Sequence, residues 1–330
     1  TFATATQLYT SVPQGATTGR ITVTVNKVTA TTATDFIVLP HNVWESVSDF
    51  GGLPRYGAVS FVIKDMAYVG TGTTITIVKG SAHTARSRDF WAYNPKTDTW
   101  TQRADLGGEA RTFATGFATG SRGYVTFGSG NNGLPYLTDL WEYHPGMNTW
   151  TQRADFPGTP RMGATGFVIS SKGYVGTGAG EFGGLRDFWQ YDPSIDVWTR
   201  KKDFGGTPRR FAGSFVINGK GYLGAGIEPT VFQPDFWEYD ATVNSWVEKA
   251  SLPGTSGSQH SGFFSIGTKG YAGGQQNQLW MLDPVANTWE QKASIPIDMA
   301  NGVGFSLDGF GYIGLGSYAH GNTNHTAFYK

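Results

Sequence analysis

Charged residues that recur together are the part of the sequence best suited to chemistry. An arginine returns in four successive stretches of chain and is followed each time by an aspartate: Arg55 with Asp89, Arg111 with Asp139, Arg161 with Asp187, and Arg209 with Asp235. A second aspartate stands six residues before each arginine, at Asp49, Asp105, Asp155 and Asp203. All three charges are missing from the two stretches that follow. In the last one, Met299 stands at the position of the arginine and Thr326 at that of its paired aspartate. Because an unpaired buried charge is costly, groups that are lost together are most simply groups paired with one another. The pattern favours structural Arg–Asp pairs, and a ring of arginines that binds an anion is the alternative.

Motifs typical of a particular catalyst or cofactor are weak or absent. Gly178–Gly183 has the spacing G-x-G-x-x-G, but the pattern after it predicts a strand, so no helix N-terminus is available to hold a phosphate. The absence of cysteine excludes thiol nucleophiles, disulfides and thiolate-bound metals. The histidines show no H-E-x-x-H or H-x-H spacing, although His320 and His325 share one loop. We therefore expect neither a cofactor nor a metal.

Composition narrows the class of protein. The 330 residues include 25 Lys plus Arg and 25 Asp plus Glu, so the formal net charge is zero and gives no electrostatic drive toward nucleic acid or an anionic membrane. Aromatic residues reach 15%, which is too many for a disordered chain. No run of about 18 apolar residues exists, so no transmembrane segment is predicted.

Aromatic residues repeat along most of the chain. One tryptophan series, each member two residues after Asn or Asp, is Trp44, Trp100, Trp150, Trp198, Trp246 and Trp289. A second series is Trp91, Trp141, Trp189, Trp237 and Trp280, completed by Phe328. A tyrosine series is Tyr68, Tyr124, Tyr174, Tyr222, Tyr271 and Tyr312, and a phenylalanine series is Phe61, Phe117, Phe167, Phe215, Phe263 and Phe305. Four series of six members indicate six repeated units, and a core role for these rings is favoured because large aromatic side chains dominate core burial.

Each unit has the pattern of four short strands, named a to d from here on. In the third unit the sequence predicts strand a at Gly163–Ile169, strand b at Tyr174–Gly178, strand c at Asp187–Asp192 and strand d at Val197–Arg200. No segment shows a capped period of 3.6 residues, so almost no helix is expected. Six such sheets around a common channel form an all-β, six-bladed β-propeller.

The ends of the repeat predict how the ring closes. The sixth unit stops after strand c, while a spare strand d lies at residues 43–47 near the start of the chain. We predict that this N-terminal strand becomes the outer strand of the last blade, beside Phe328, because that pairing removes an exposed strand edge.

Residues 41–330 resemble the kelch family of β-propellers. The resemblance rests on repeated elements of the form Gly-Tyr-x-x-x-Gly, Asp-Phe-Trp-x-Tyr and Asn-x-Trp, as in Gly173–Gly178, Asp187–Tyr191 and Asn148–Trp150. The glycine pair of the family is mostly Gly-x-Gly here, as at Gly176 and Gly178. The resemblance implies the fold strongly and the function only weakly, since propellers support many activities.

Residues 1–40 have a different pattern, with strands predicted at Gln7–Pro13, Gly19–Asn26 and Ala33–Leu39. They resemble the C-terminal half of an IPT/TIG immunoglobulin-like domain, whose other half we expect upstream because this segment is too short to close a two-sheet sandwich. The domain order resembles surface lipoproteins of Bacteroidetes-type bacteria. It implies an extracytoplasmic protein at the cell surface or outer membrane, with the periplasm as an alternative, attached by a lipid rather than by a transmembrane segment.

The b–c loops form the candidate binding site. They differ in length and character, whereas the a–b and c–d turns are alike, and they leave the sheets on the same side as the d–a loops. Thr74–Val78 in the longest loop predicts a small hairpin. We expect ligand or partner contacts from the following residues: Tyr56, Arg86, Arg88, Asn131, Tyr136, Glu181, Phe182, Arg186, Glu228, Phe232, Gln276 and Tyr318.

Three hypotheses of function remain open. The first is a non-enzymatic recognition module that binds a protein partner or a glycan through these loops, in the setting of an outer-membrane complex that the resemblance implies. The second is a cofactor-independent carbohydrate isomerase or mutarotase, since some kelch proteins similar to this one isomerise sialic acid. Glu181 or Glu228 with Arg186 would then provide acid–base chemistry. The third is a structural spacer.

Overall fold

The computed structural model describes residues 2–3, 8–9, 19–25, 27–32, 42–78, 81–254, 262–273, 275–317 and 324–330. The chain divides into two compact units, Thr1–Val43 and Trp44–Lys330. Two antiparallel hairpins form in the first unit, where Phe2–Ala3 pairs with Leu8–Tyr9 and Thr22–Val25 pairs with Val28–Thr31. The strand predicted at Ala33–Leu39 lies outside the described residues.

Six four-stranded antiparallel sheets make up the described part of the second unit, and we number them as blades one to six. Blade one consists of Val59–Ile63, Met66–Gly70, Phe90–Asn94 and Thr99–Arg103. Blade two consists of Thr115–Thr119, Arg122–Thr126, Leu140–His144 and Thr149–Arg153. Blade three consists of Thr165–Ile169, Lys172–Gly176, Phe188–Asp192 and Val197–Arg200.

The other three blades repeat this order of strands a to d. Blade four consists of Gly213–Ile217, Lys220–Gly224, Phe236–Asp240 and Ser245–Lys249. Blade five consists of Gly262–Ile266, Lys269–Gly273, Leu279–Asp283 and Thr288–Gln291. Blade six consists of Val303–Leu307, Phe310–Gly314, Phe328–Tyr329 and the N-terminal strand Ser46–Val47.

The blades form a closed ring. Strand a of every blade contacts strand a of the next one, and strand a of blade six contacts strand a of blade one. The starts of these strands line a central channel with a volume of about 200 Å³. Glycine, alanine, serine and threonine form most of its wall, because six strands that converge on one axis leave little room for side chains. The prediction of an all-β, six-bladed propeller is confirmed.

The N-terminal strand closes the ring as predicted. Val47 pairs with Phe328 and Ser46 with Tyr329, and the backbone amides of Glu45 and Lys330 each donate to the other residue's carbonyl at 2.8 Å. The strand itself is shorter than the predicted segment 43–47, but the pairing joins the two ends of the propeller in one sheet.

The first tryptophan series links neighbouring blades. Each indole Nε1 donates, at 2.9 to 3.2 Å, to a backbone carbonyl that follows strand d of the preceding blade: Trp100 to Ser48, Trp150 to Ala104, Trp198 to Ala154, Trp246 to Lys202, Trp289 to Ala250, and Trp44 to Ala293. The links run around the whole ring, and Trp44 supplies the one between blades six and five.

The phenylalanine and tyrosine series pack on strands a and b. In blade two, for example, the rings of Phe117 and Tyr124 stack with centroids 5.1 Å apart. The prediction of Phe263 for blade five was wrong. Its neighbour Phe264 pairs with Tyr271 in register and stacks on it at 5.1 Å. Because successive side chains of a strand point to opposite faces, Phe263 instead faces Gly213 of blade four along the channel.

Three further elements lie in the described b–c loops, one of them the short hairpin of blade three in which Ala179–Gly180 pairs with Gly183–Gly184. The predicted hairpin of blade one is present as Thr73–Val78 paired with Ser81–Arg86, and Arg55–Tyr56 pairs with its first strand. In blade five, Gln275–Asn277 forms a 3-10 helix, the one helical element of the described residues. No helix in the described part of the chain is long and apolar enough to cross a bilayer.

Candidate functional site

The four arginines lie beneath the face formed by the b–c and d–a loops, which we call the loop face. Each is fully buried and binds the carboxylate of its aspartate through two nitrogens; in blade three, Arg161 Nη1 and Nη2 donate to Asp187 Oδ1 and Oδ2, both at 2.7 Å. The same geometry joins Arg55 to Asp89, Arg111 to Asp139 and Arg209 to Asp235. Arg161 also donates to the carbonyls of Thr159 and Thr177. These guanidinium groups face the protein interior, where they hold the loops to the neighbouring strands.

Each aspartate of these pairs has a third partner, the indole of the tryptophan two residues later. Trp189 Nε1, for instance, donates to Asp187 Oδ2 at 2.7 Å. Desolvation is the largest single influence on Asp187 and raises its pKa. The hydrogen bonds from Arg161 and Trp189 and the attraction of the guanidinium together outweigh it, so the pKa lies below its ordinary value. The pKa values of Asp89, Asp139 and Asp235 are lowered by the same balance.

The second aspartate series does not join these pairs, and the expectation that all three charges interact was wrong. Asp105 lies 3.6 Å from the exposed Arg88, and Asp203 lies 3.0 Å from Arg200. Asp155 accepts a hydrogen bond from Gln152. These carboxylates come just before the turn that leads to the buried arginine, so they remain at the surface while the arginine turns inward.

A pocket of about 370 Å³ lies on the loop face where loops of blades one and two meet the segment that precedes strand a of blade three, and we call it the rim pocket. Its walls are partly apolar, formed by Tyr56, Ala85, Phe113, Gly133, Leu134, Tyr136 and Met162. Its polar groups come from Thr73, Thr84, Arg86, Thr112 and Ser129. Three of the predicted site residues, Tyr56, Arg86 and Tyr136, are therefore brought together in one cavity.

Arg86 and Thr112 are two of the polar residues that line the rim pocket. Arg86 Nη1 donates to the Asn131 carbonyl at 3.2 Å and Nη2 to Ser129 Oγ at 3.0 Å, while its buried Nε has no hydrogen-bond partner among the described residues. Thr112 is 4% exposed, and its Oγ1 also has no partner within the described chain. A buried polar atom without a partner is costly. Both atoms are closed to the pocket, so a ligand there would meet the other polar atoms of its lining. None of the described residues that line the pocket is acidic.

Phe113 separates the rim pocket from the central channel, and its position was not predicted. Phe113 and Phe211 have φ of 55° and 58°, at the place in their blades where blades one and three have Gly57 and Gly163. The left-handed conformation costs a side-chain-bearing residue roughly 1–2 kcal/mol. The backbone gains a hydrogen bond there between neighbouring blades, such as Phe113 N to the Gly57 carbonyl at 2.9 Å, and the described residues show this bond from blade six through blade one to blade four.

The two phenylalanine rings lie together at the mouth of the channel. Phe113 and Phe211 have centroids 4.9 Å apart, and Tyr56 lies 5.8 Å from Phe113. Gly163 is required between them, because a Cβ there would come within 2.7 Å of the Phe211 ring. The replacement of glycine by phenylalanine in alternate repeats was the sequence signal that could have revealed these residues.

Several predicted site residues lie away from the rim pocket. Arg88 is exposed beside Asp105, and Asn131 contributes its backbone, since its amide donates to Glu109 Oε1 at 2.7 Å. Gln276 is exposed in blade five, where its amide donates to Asp298. Phe232 was expected to be a free aromatic, but it packs against the hydrophobic cluster of blade four. Tyr318 lies outside the described residues.

The residues proposed for acid–base chemistry are spread over blades three and four. Glu181 and Phe182 form the exposed tip of a short hairpin, and Arg186 is exposed at its base. The Glu228 carboxylate lies against Gly184 of the same hairpin. Within the described part of the chain, Arg186 forms no ion pair with either glutamate. No group of three or more His, Asp or Glu side chains that could hold a metal is found among the described residues.

Comparison with known proteins supports the fold. No family model matches the chain, and no curated protein sequence matches it. The solved structure titled "Structure of YjhT" superposes with a TM-score of 0.69 at 16% sequence identity, over 86% of this chain and 95% of that one. At this identity the likeness concerns the fold alone. The closed ring of six sheets and this structural neighbour together define the class of protein as a β-propeller.

Proposed function

We propose that this protein is a recognition module that binds a glycan, with one sugar unit held in the rim pocket. The observation that carries the proposal is the combination of aromatic walls with hydroxyl and guanidinium groups in one cavity. Sugars present an apolar C–H face and a polar edge, and pockets for small ligands generally pair apolar walls with a few placed polar groups. The volume of about 370 Å³ is near the lower end of the usual range, which suits a single ring.

The lack of a carboxylate among the described residues of the pocket lining favours binding over isomerisation at this site. Mutarotation needs a group that takes up a proton and one that returns it. The described lining residues of the rim pocket offer a guanidinium, two phenols and aliphatic hydroxyls, and include neither a carboxylate nor an imidazole. The rate at which the α and β anomers of the sugar interconvert in the presence of the protein, followed by NMR, would distinguish the isomerase from the binding module.

The setting of the module is part of the same proposal. Assignment of residues 1–40 to an IPT/TIG domain, kelch membership, and a lipid-anchored location at the cell surface or outer membrane rest on the resemblance of the sequence. A neutral net charge and a loop face with a pocket are compatible with such an accessory role.

Replacement of Arg86 by methionine should weaken glycan binding at least about tenfold, because a charge-assisted hydrogen bond to a ligand contributes roughly 1.5–3 kcal/mol. Tyr136→Ala should have a similar effect through loss of the apolar wall. The measurement is a screen of the full chain on an array of mono- and oligosaccharides, followed by calorimetric titration of the best one.

Arg88→Met is the matched control, since Arg88 lies two residues further along the same loop but outside the pocket. It should leave the dissociation constant within about twofold of the unmodified protein, a change that corresponds to less than 0.5 kcal/mol. Absence of any binding on the array would contradict the proposal, and so would Arg86 and Tyr136 variants that bind the glycan as tightly as the unmodified protein.

A further inference from the structure

The hairpin of blade three presents a phenylalanine to solvent. Ala179–Gly180 pairs with Gly183–Gly184, so Glu181 and Phe182 form a two-residue turn between them. The base is fixed, because Ala179 and Met162 exchange backbone hydrogen bonds of 2.9 and 3.0 Å. Phe182 is 98% exposed. The ring therefore makes almost no contact within its own chain, although the hairpin that carries it is held in place.

An exposed aromatic ring on a fixed support is typical of an anchor residue at a protein interface. Anchors of this kind contribute most when they enter a preformed pocket on the partner, because little conformational freedom is then lost on binding. A pocket suited to Phe182 has apolar walls and room for one ring, together with a positive group for the neighbouring Glu181.

The rim pocket of the same loop face has these properties. Its apolar wall includes Tyr136 and Met162, and Leu134, with 46% of its surface exposed, stands at the pocket. Among the described lining residues Arg86 is the charged one, and its guanidinium binds a carbonyl and a hydroxyl rather than a carboxylate. The hairpin tip carries the opposite charge at Glu181. The base of the hairpin adjoins the pocket through Met162, but the exposed Phe182 ring and Glu181 at its tip are free to contact a second chain, and their apolar shape and charge complement those of the pocket.

We propose that two copies of this chain associate through their loop faces, with Phe182 of each copy seated in the rim pocket of the other and Glu181 paired with Arg86. Both features lie on one face, so a twofold axis brings the two contacts together reciprocally, as in the isologous interfaces of most homodimers. The association does not depend on glycan binding. It places Phe182 in the cavity assigned to the sugar, so a bound glycan shifts the protein toward the monomer.

The test is sedimentation velocity of the full chain without glycan, from micromolar to millimolar concentration. The unmodified protein should show a monomer–dimer equilibrium. Phe182→Ala should weaken dimerisation by about 100-fold, since a loss of about tenfold occurs at each of two equivalent contacts. Val285→Ala is the control, because Val285 is 91% exposed in a c–d turn on the opposite side, and it should leave the equilibrium unchanged.

Charge-reversal variants distinguish this interface from an unspecific apolar contact. Glu181→Arg and Arg86→Glu should each weaken dimerisation, and the double variant should restore it to within about threefold, because only the pair regains its attraction. Glu181 and Phe182 are exposed, so their variants should keep the circular dichroism and melting temperature of the parent. A protein that is monomeric at all concentrations, a dimer indifferent to Phe182→Ala, or a double variant without recovery would overturn the proposal.

Discussion

A chain that begins at Ser48 should be less stable than one that begins at Asn42 by at least about 4 kcal/mol, because loss of one tryptophan from a packed site alone costs roughly 3–5 kcal/mol. The longer chain keeps the strand that closes blade six, whereas the shorter one lacks it. The shorter chain loses the Trp44 indole bond to Ala293 and the two backbone bonds between Glu45 and Lys330. It also leaves the strand that contains Phe328 as an unpaired edge. The measurement is urea unfolding followed by tryptophan fluorescence.

The chain that begins at Asn42 is the control for removal of the first unit. It should unfold with the same midpoint as the propeller in the full chain, since the ring contains residues from Trp44 onward. Equal free energies of unfolding for the two truncated chains would show that the N-terminal strand does not hold the ring.

Replacement of Arg161 by alanine should destabilise the propeller by about 3–5 kcal/mol, the usual cost of removing one partner from a buried ion pair. Asp187 would keep the indole bond from Trp189 but lose both guanidinium bonds, and the cation–π contact of Arg161 with Phe156 would also disappear. Thermal and chemical unfolding measure the effect. Unchanged stability together with altered ligand binding would instead make Arg161 a binding residue.

Two further variants isolate the charge from the packing. Arg186→Ala removes an exposed arginine from the same blade and should cost less than about 0.5 kcal/mol. The double variant Arg161→Met, Asp187→Asn should be more stable than Arg161→Ala, because no unpaired charge is left buried.

The pH dependence of stability gives an independent check on the same pair. The pKa of Asp187 is lowered in the folded protein, so the unfolded chain binds its proton more tightly. The contribution of this carboxylate to stability is therefore fully present above the unfolded value of about 3.9 and is lost as the pH falls below it, through the folded pKa. The double variant should lose less stability than the parent protein over that acidic range.

Much of the fold could be predicted from the sequence because the same residue types recur at the same positions of each repeat. The tryptophan, tyrosine and Asn or Asp positions recur because every blade uses them in the same bonds: Tyr143 Oη and Ala104 N, for example, both donate to Asn148 Oδ1. The missing strand d at the end and the spare one at the start then determined the closure. Phe263 was misassigned because two adjacent phenylalanines fit the spacing, and only the register of strands a and b separates them.

The candidate site was harder to predict from the sequence, because its residues come from three different blades. Tyr56, Arg86 and Tyr136 were among the expected residues, but spacing along the chain does not show that they line one cavity while Arg88 and Gln276 do not. Thr112 was missed because a threonine next to a buried arginine is inconspicuous. The aspartates before the arginines were misjudged because residues that vary together along the chain need not touch.

Hydrogen exchange at the Glu45 amide tests the closed ring most directly. This amide donates to Lys330 across the junction of the two chain ends, at 2.8 Å. If the ring opens only when the whole propeller unfolds, its free energy of exchange should match that of core amides in strand b of the same blade, such as Ile313. Exchange of the Glu45 amide at the rate of an unstructured peptide, while Ile313 stays protected, would contradict the account.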